Sequence, residues 1–244
     1  MKTISHSLLG TALLAGLFIS PVLAEQAGPK ALLERSAAAM GGTAAFTKIK
    51  TLVVRSSMEM PAAFTTMLMV SYYKAPNLIY VESDIPLVGK ARQGYDGKTG
   101  WANDPIQGYH ELTGIALEQL IASCPDYLVR LPEYYRRLEL LPDNKVGERP
   151  ARVVKGITPL GAEEVFFLDA QTFLPIRMDL TVDSGPAGKL PTQVTLEDWK
   201  EIPGTGAKFP NKTVTNTSAA QMIETVESVE VNVPLDDALF APKK

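Results

Sequence analysis

The amino-acid sequence predicts an α+β fold that is mainly β, with one antiparallel sheet and a few helices packed against it. About ten segments between residues 52 and 231 are rich in β-branched and aromatic residues and are bounded by Gly, Pro, Asn or Asp. Only two segments, residues 29–40 and 113–140, place apolar residues at helical spacing. No repeat or linker-like composition divides the chain, which predicts a single domain over residues 25–244.

The two helical segments have recognisable ends. Pro29 suits a first helical turn, and Gly41-Gly42 ends the pattern that begins there. Thr113 is a suitable N-cap for the second segment. Pro125 and Pro132 should divide residues 113–140 into two or three short helical pieces.

The strands are expected in two groups, one before and one after the second helical segment. The Asp96-Gly97 pair between Tyr95 and Trp101 predicts a tight hairpin, because both residues tolerate positive φ angles. The predicted strands cover residues 52–60, 65–73, 77–83, 89–94, 151–157, 164–168, 174–181, 193–201, 212–217 and 222–231.

The first 24 residues have the pattern of a signal peptide. Lys2 precedes an apolar run over residues 8–19, and small or aliphatic side chains lead to Ala24. We therefore predict cleavage after Ala24 and a periplasmic location for residues 25–244. The net charge of −3 and the lack of a dense Lys/Arg run make nucleic acid a poor partner.

Catalysis and metal binding find little support. Beyond the predicted signal peptide the chain has one histidine, His110, and one cysteine, Cys124, whereas a zinc site needs three or four ligands. A Cys-His nucleophile pair would need a third group, and no Gly-x-Ser-x-Gly or phosphate-binding glycine motif occurs. We expect a non-enzymatic protein without metal or cofactor, and an unrecognised hydrolase is the least favoured alternative.

Several turn and strand segments together resemble the LolA-like superfamily of periplasmic lipoprotein and lipid carriers. These segments cover residues 51–54, 73–82, 95–101, 167–175 and 233–240, including Asp96-Gly97-Lys98-Thr99-Gly100-Trp101. The resemblance implies a strongly curved antiparallel sheet, a half-open β-barrel, with helices covering an apolar cavity on its concave face. It also implies that members carry or sense acylated lipoproteins or lipids, and it leaves the cargo of this chain open.

Four methionines lie within twelve residues, at Met58, Met60, Met67 and Met69. Residues two apart on a strand share a face, so a hairpin of these strands would bring all four together. Thioethers fill irregular gaps in ordinary cores, and they also form adaptable binding surfaces. In a carrier fold we expect the four methionines to line the cavity.

Aromatic residues and the second helical segment complete the predicted site. Tyr80 and Trp101 are expected to line the cavity, although aromatic residues are also ordinary strand formers. The segment 113–140 is the candidate lid, and its alternative role is to cover the apolar face of the sheet. The predicted lid residues are Ile115, Leu117, Leu120, Ile121 and Leu128.

Two function classes therefore remain beside the hydrolase. The first is a periplasmic carrier that binds a lipid or an acylated lipoprotein, for which an envelope membrane protein is a candidate partner. The second is a sensor or scaffold of the same fold that binds a partner protein, for instance through an exposed sheet edge.

Overall fold

The computed structural model describes residues 27–183 and 188–243. The predicted signal peptide, residues 1–24, lies outside the described residues. Within them, one sheet of thirteen strands curves around a set of short helices.

The helices lie within the two segments that the sequence predicts, with one short addition after the first, and Pro132 lies inside the last helix instead of ending a helical piece. Pro29 opens α1, and Gly41 ends this first helical segment at a φ of +107°. A Cβ at Gly41 would collide with the carbonyl oxygen of Gly206, so only glycine fits there. The helices are α1 (Pro29–Ala39), α2 (Gly42–Phe46), α3 (Gly114–Ala122) and α4 (Tyr127–Tyr134).

The strands form a single antiparallel sheet in the order β6-β5-β4-β3-β2-β1-β13-β12-β11-β10-β9-β8-β7. The two outer strands, β6 and β7, do not pair with each other, so the curved sheet stays an open half-barrel. Strand bounds are β1 Thr51–Met60, β2 Thr65–Lys74, β3 Leu78–Ile85, β4 Gly89–Tyr95, β5 Gly100–Asp104, β6 Gly108–Leu112, β7 Arg137–Val146, β8 Arg149–Ile157, β9 Glu163–Asp169, β10 Pro175–Asp183, β11 Lys189–Glu201, β12 Lys208–Thr217 and β13 Gln221–Val231.

The predicted α+β, mainly β fold is confirmed. The sheet has thirteen strands among the described residues, three more than the ten that were predicted. The short strands β5 and β6 continue from the Asp96-Gly97 turn, and β7 occupies residues assigned to the helical segment. That segment ends at Tyr134, so its prediction as helical to residue 140 is wrong. The leucines of β7 have high helix propensity, and this obscured the alternation of Leu138 and Leu140 with charged neighbours.

Antiparallel pairing places the strand connections alternately at two ends of the sheet. The connections that follow β1, β3, β5, β8 and β12 lie at one end, which we call the upper rim. The connections that follow β2, β4, β7, β9 and β11 lie at the other end, the lower rim.

The concave face is packed most densely near the lower rim and beside β8 and β9. The lower cluster buries Phe46, Ile49, Leu52, Ile79, Leu120 and Val129. The lateral cluster packs α1 and α4 against the sheet through Leu32, Leu33, Leu131, Val154, Phe166 and Leu168. Both clusters anchor the helices without filling the upper part of the concave face.

The convex face of β3–β5 is covered by the C-terminal segment, residues 233–243. Phe240 is fully buried there, and its carbonyl oxygen accepts a hydrogen bond of 3.0 Å from Nε1 of Trp101. Asn103 donates to the carbonyl oxygen of Lys243 at 2.9 Å. The chain end therefore closes the back of the sheet, away from the concave face.

Candidate functional site

The concave face contains a first hollow of about 300 Å³. It lies above the lower cluster, in the angle between β1–β4 on one side and β12–β13 on the other. Its polar residues include Ser71, Gln93, Thr213 and Glu224. Its apolar residues include Leu52, Val54, Met69, Ile79, Val81 and Val226.

A second hollow of about 560 Å³ lies between helix α3 and strands β9–β12. Ser123, Pro210 and Thr213 belong to the walls of both hollows, so the two are neighbours along the concave face. Each volume falls within the range of roughly 300–1,000 Å³ that is usual for small-molecule sites. The apolar wall of the second hollow includes Ile115, Leu128, Met178, Leu180, Val182 and Val194.

Helix α3 crosses the opening and touches both halves of the sheet. At one end Leu117 packs on Gly100 of β5. A Cβ added to Gly100 would stand 2.5 Å from the Cδ1 atom of Leu117. At the other end the Gln119 side chain donates to the carbonyl oxygen of Thr181 at 3.0 Å and accepts from the backbone N–H of Asp183 at 3.3 Å. Thr181 and Asp183 lie beyond Asp179, the last residue of β10 that pairs with β9. The Gln119 side chain therefore takes the place that a further residue of β9 would occupy.

The predicted lid residues lie on the helices but have different surroundings. Ile115 and Leu128 line the second hollow. Leu117 and Ile121 line a third hollow of about 410 Å³ between α3, α4 and the β8–β9 connection. Leu120 is buried in the lower cluster and holds α3 against the sheet.

The register places all four predicted methionines on the concave face. Met58 pairs directly with Met67, and Met69 pairs with Ser56. Met60 pairs with Thr65 at the upper rim. Of the four, Met69 lines the first hollow, and the other three form a half-buried row between it and the upper rim.

Tyr80 and Trp101 lie on the convex face, not in the cavity where they were predicted. Their rings stack with centroids 6.0 Å apart, against Phe240 of the C-terminal segment. Gly94 lies between them in the register, and a Cβ there would stand 2.9 Å from the Trp101 ring. Strand alternation explains the difference, because the neighbours Ile79 and Val81 occupy the concave side.

The walls of the first two hollows contain carboxylates but, among the described residues that line them, no lysine or arginine. Oγ of Ser56 donates to Glu224 in the first hollow at 2.7 Å. In the second hollow Glu164 accepts from the hydroxyls of Tyr127 and Tyr135. Burial raises the pKa of Glu164 above its usual value, against the opposing effect of these hydrogen bonds.

Cys124 and His110 lie in surroundings that do not activate a nucleophile. Cys124 is buried in the lower cluster, and burial raises the pKa of its thiol to about 12. A thiol with so high a pKa is protonated at neutral pH, whereas thiol chemistry uses the thiolate. His110 lies on β6, where its Nδ1 is 3.1 Å from the carbonyl oxygen of Gly108.

Sequence reasoning did not find the polar residues of the site. Glu118 and Glu164 are spread over a helix and a strand, and their meeting with the tyrosines of α4 depends on tertiary packing. Gln119 gave no signal either, because its partners are backbone groups of a distant strand. Leu180 was detectable, since it alternates with polar neighbours along the predicted strand 174–181, whereas Val182 lies just beyond that prediction.

Three solved structures are similar to this chain over most of its length. A DUF1329 family protein from Desulfovibrio piger aligns with a TM-score of 0.59 and 14% identity, covering 88% of this chain and 98% of that protein. A LolA superfamily protein from Nitrosomonas europaea aligns with a TM-score of 0.56 and 16% identity, over 88% and 98% of the two chains. The chain has the LolA-like fold.

The third structure, from Vibrio parahaemolyticus, carries the name of an outer membrane lipoprotein-sorting protein domain. It aligns with a TM-score of 0.53 and 13% identity, over 85% of this chain and 95% of that domain. No protein-family model and no curated protein matches the sequence. At these identities the LolA-like structures establish the architecture, and the chemistry of the site must be argued from its own residues.

Proposed function

We propose that this chain is a non-enzymatic periplasmic binding or carrier protein that holds the acyl chains of a lipid or an acylated protein in its concave hollows. The observation that carries the proposal is the pair of adjoining, largely apolar hollows on the concave face, the second of which is lined in part by α3. A hollow of this kind lowers the free energy of a hydrocarbon chain by about 0.8 kcal/mol for each buried CH₂. The name of the Vibrio parahaemolyticus domain agrees with this class of ligand.

The charge of the walls suggests how such a ligand lies. Glu164 and Glu224 face the hollows, and no cation among the described lining residues offsets them. An anionic headgroup placed inside would meet like charge in a poorly solvated space. The acyl chains therefore occupy the hollows, and an anionic headgroup stays at the opening.

The methionine row suggests the route of entry. Met60, Met58 and Met67 lead from the upper rim toward Met69 in the first hollow. Flexible thioethers adapt to a moving hydrocarbon chain at little cost in packing. In this proposal the three rim-side methionines guide the chain, and Met69 contacts it in its bound position.

Partner binding through a sheet edge is less well supported. Edge strand β6 has five residues, and edge strand β7 is interrupted by a register shift between Leu141 and Asn144. Short and bulged edges are poor templates for strand addition. A partner-binding sensor would therefore need a different surface.

The proposal predicts that a charge at position 69 weakens binding of an apolar ligand. We expect Met69→Asp to weaken binding of the dye N-phenylnaphthylamine at least tenfold, because it places a carboxylate in the wall of the first hollow. Binding is measured by fluorescence titration of protein purified without residues 1–24, and circular dichroism checks that the variant is folded.

Leu68→Asp is the matched control, because Leu68 is the next residue on β2, faces the convex side and is 59% exposed. Its affinity for the dye should stay within a factor of two of the parent protein. Ser71→Trp gives a second test by filling the first hollow without adding charge. Equal affinity in folded Met69→Asp, Ser71→Trp and parent protein would contradict the proposal.

A further inference from the structure

Large apolar side chains stand exposed at the upper rim. Phe64 follows β1 and is 97% exposed, and Ile106 follows β5 and is 85% exposed. Leu87 and Val88 follow β3, with Leu87 completely exposed. Leu160 follows β8 and is more than half exposed.

These residues share one end of the sheet although they are far apart in sequence. Strands β1, β3, β5 and β8 run in the same direction, so the connections that follow them lie together at the upper rim. The lower rim differs: among the described residues no large exposed apolar side chain lies in its connections, which instead expose polar residues such as Lys98, Glu148 and Gln171. The exposed apolar residues are therefore concentrated at one end of the molecule.

Two of these side chains are held outward by unusual backbone conformations. Phe64 has a φ of +49° and Leu87 a φ of +66°, in the left-handed region. Glycine or asparagine would adopt this conformation at lower cost. The two positions thus combine a strained backbone with an apolar side chain exposed to water. Neither feature contributes to the stability of the turn.

The rim adjoins the openings of the concave face. Phe64 lies four residues after Met60, where the methionine row begins. Leu160 also lines the third hollow, which shares Glu118, Ala122 and Tyr127 with the second hollow. A surface that contacts the upper rim would therefore face both routes into the concave face.

We propose that the upper rim docks on a lipid bilayer by inserting the side chains of Phe64, Leu87 and Ile106 into the headgroup region. Separate apolar side chains on turn tips suit an interface that accepts each one independently. A protein partner would instead require a continuous, closely packed contact surface. This inference goes beyond the proposed ligand binding and is testable without any ligand in the hollows.

The test is flotation of the protein with vesicles of phosphatidylethanolamine and phosphatidylglycerol. The rim variant carries Phe64→Asn, Leu87→Asn and Ile106→Ser; asparagine suits the left-handed φ and should leave the turns intact. We expect the parent protein to float with the vesicles and the rim variant to lose at least tenfold in bound fraction. The matched control carries Asn77→Ser, Lys98→Ser and Gln171→Ser at the lower rim and should bind like the parent.

A second measurement locates the contact. Ile106→Cys and Lys98→Cys are made separately in a Cys124→Ser background, and an environment-sensitive dye is attached to the one thiol of each variant. Vesicles should shift the emission of the dye at position 106 to shorter wavelength and leave that at position 98 unchanged.

Several results would overturn membrane docking by the rim. These are no flotation of the parent protein, equal flotation of the rim variant, or equal emission shifts at both positions. A lipid-free dimer that the rim substitutions abolish, without vesicle binding, would assign the rim to protein contact instead. Normal dye uptake by the non-floating rim variant would leave the proposed ligand binding standing, so the two proposals fail separately.

Discussion

The raised pKa of Glu164 makes the stability of the folded chain depend on pH. Its carboxylate lies in the wall of the second hollow and accepts hydrogen bonds from Tyr127 and Tyr135. Because burial raises its pKa in the folded chain, its contribution to stability is complete below the pKa of the unfolded chain. That contribution is lost as the pH rises through the higher, folded pKa.

Glu164→Gln should therefore stabilise the protein at pH 8. The amide oxygen can still accept from the tyrosine hydroxyls, but it never becomes charged. We expect a gain of about 1 kcal/mol in the free energy of unfolding at pH 8, in the usual range for one buried polar substitution, and a smaller gain at pH 4. Urea titrations at the two pH values measure the difference.

The neighbouring Glu163→Gln is the control, since Glu163 is exposed and lies near Lys155. It should change stability little at either pH. A Glu164→Gln variant that is less stable than the parent at pH 8 would show that the charged carboxylate is favourable in its site.

Individual side chains were predictable where strand alternation alone decides their face. Met58 and Met67 share the concave face as their spacing predicts. Tyr80 and Trp101 could not be assigned to a face from spacing alone, because both faces of β3 and β5 are buried. The convex side is covered by the C-terminal segment, more than 130 residues away in sequence, as the hydrogen bond from Trp101 to Phe240 shows.

Helix α3 forms part of the wall of the second hollow, and we propose that it controls access to that hollow. Gln119 makes two hydrogen bonds to β10, and Leu120 and Leu117 hold the helix by apolar contacts. Breaking the Gln119 hydrogen bonds would leave the lower cluster buried. We therefore propose that the helix loosens at this end while the sheet remains intact.

Gln119→Ala should loosen this end of α3. We expect faster hydrogen exchange of the backbone amides of residues 114–122 and faster uptake of N-phenylnaphthylamine, with a loss of stability of about 1 kcal/mol. Mass spectrometry of exchanged peptides and stopped-flow fluorescence measure the two rates.

Gln171→Ala, in the β9–β10 turn at the lower rim, is the control and should change neither rate. Unchanged exchange and uptake in Gln119→Ala would mean that the apolar contacts alone hold the helix closed.

Elements were predictable to the extent that their local pattern was unambiguous. Helix α1 ends within one residue of its predicted limit, because Pro29 and Gly41 mark both ends. Strand β7 was missed since its leucines favour a helix, and only pairing with β8 decides its conformation. Local propensity yields to tertiary pairing where the two disagree.

At the scale of the whole molecule, the antiparallel sheet follows from the strand pattern, and its curved, open form follows from the resemblance to the LolA-like superfamily. The hollows do not follow from sequence, because an unfilled volume depends on how side chains pack across the sheet. The same residue types could have closed the space, as they do in the lower cluster.

None of the helices within residues 27–183 and 188–243 has the length and hydropathy of a membrane-spanning helix.

The proposed carrier function depends on one claim, that hydrocarbon occupies the concave side of the sheet beneath α3. Photocrosslinking with a phosphatidylethanolamine whose acyl chain carries a diazirine tests this claim most directly, with labelled peptides identified by mass spectrometry. We predict labels on concave residues of β1, β2 and β10–β13 and on α3, suppressed by an excess of unlabelled lipid. Labels confined to the convex face, or labelling that excess lipid does not reduce, would contradict it.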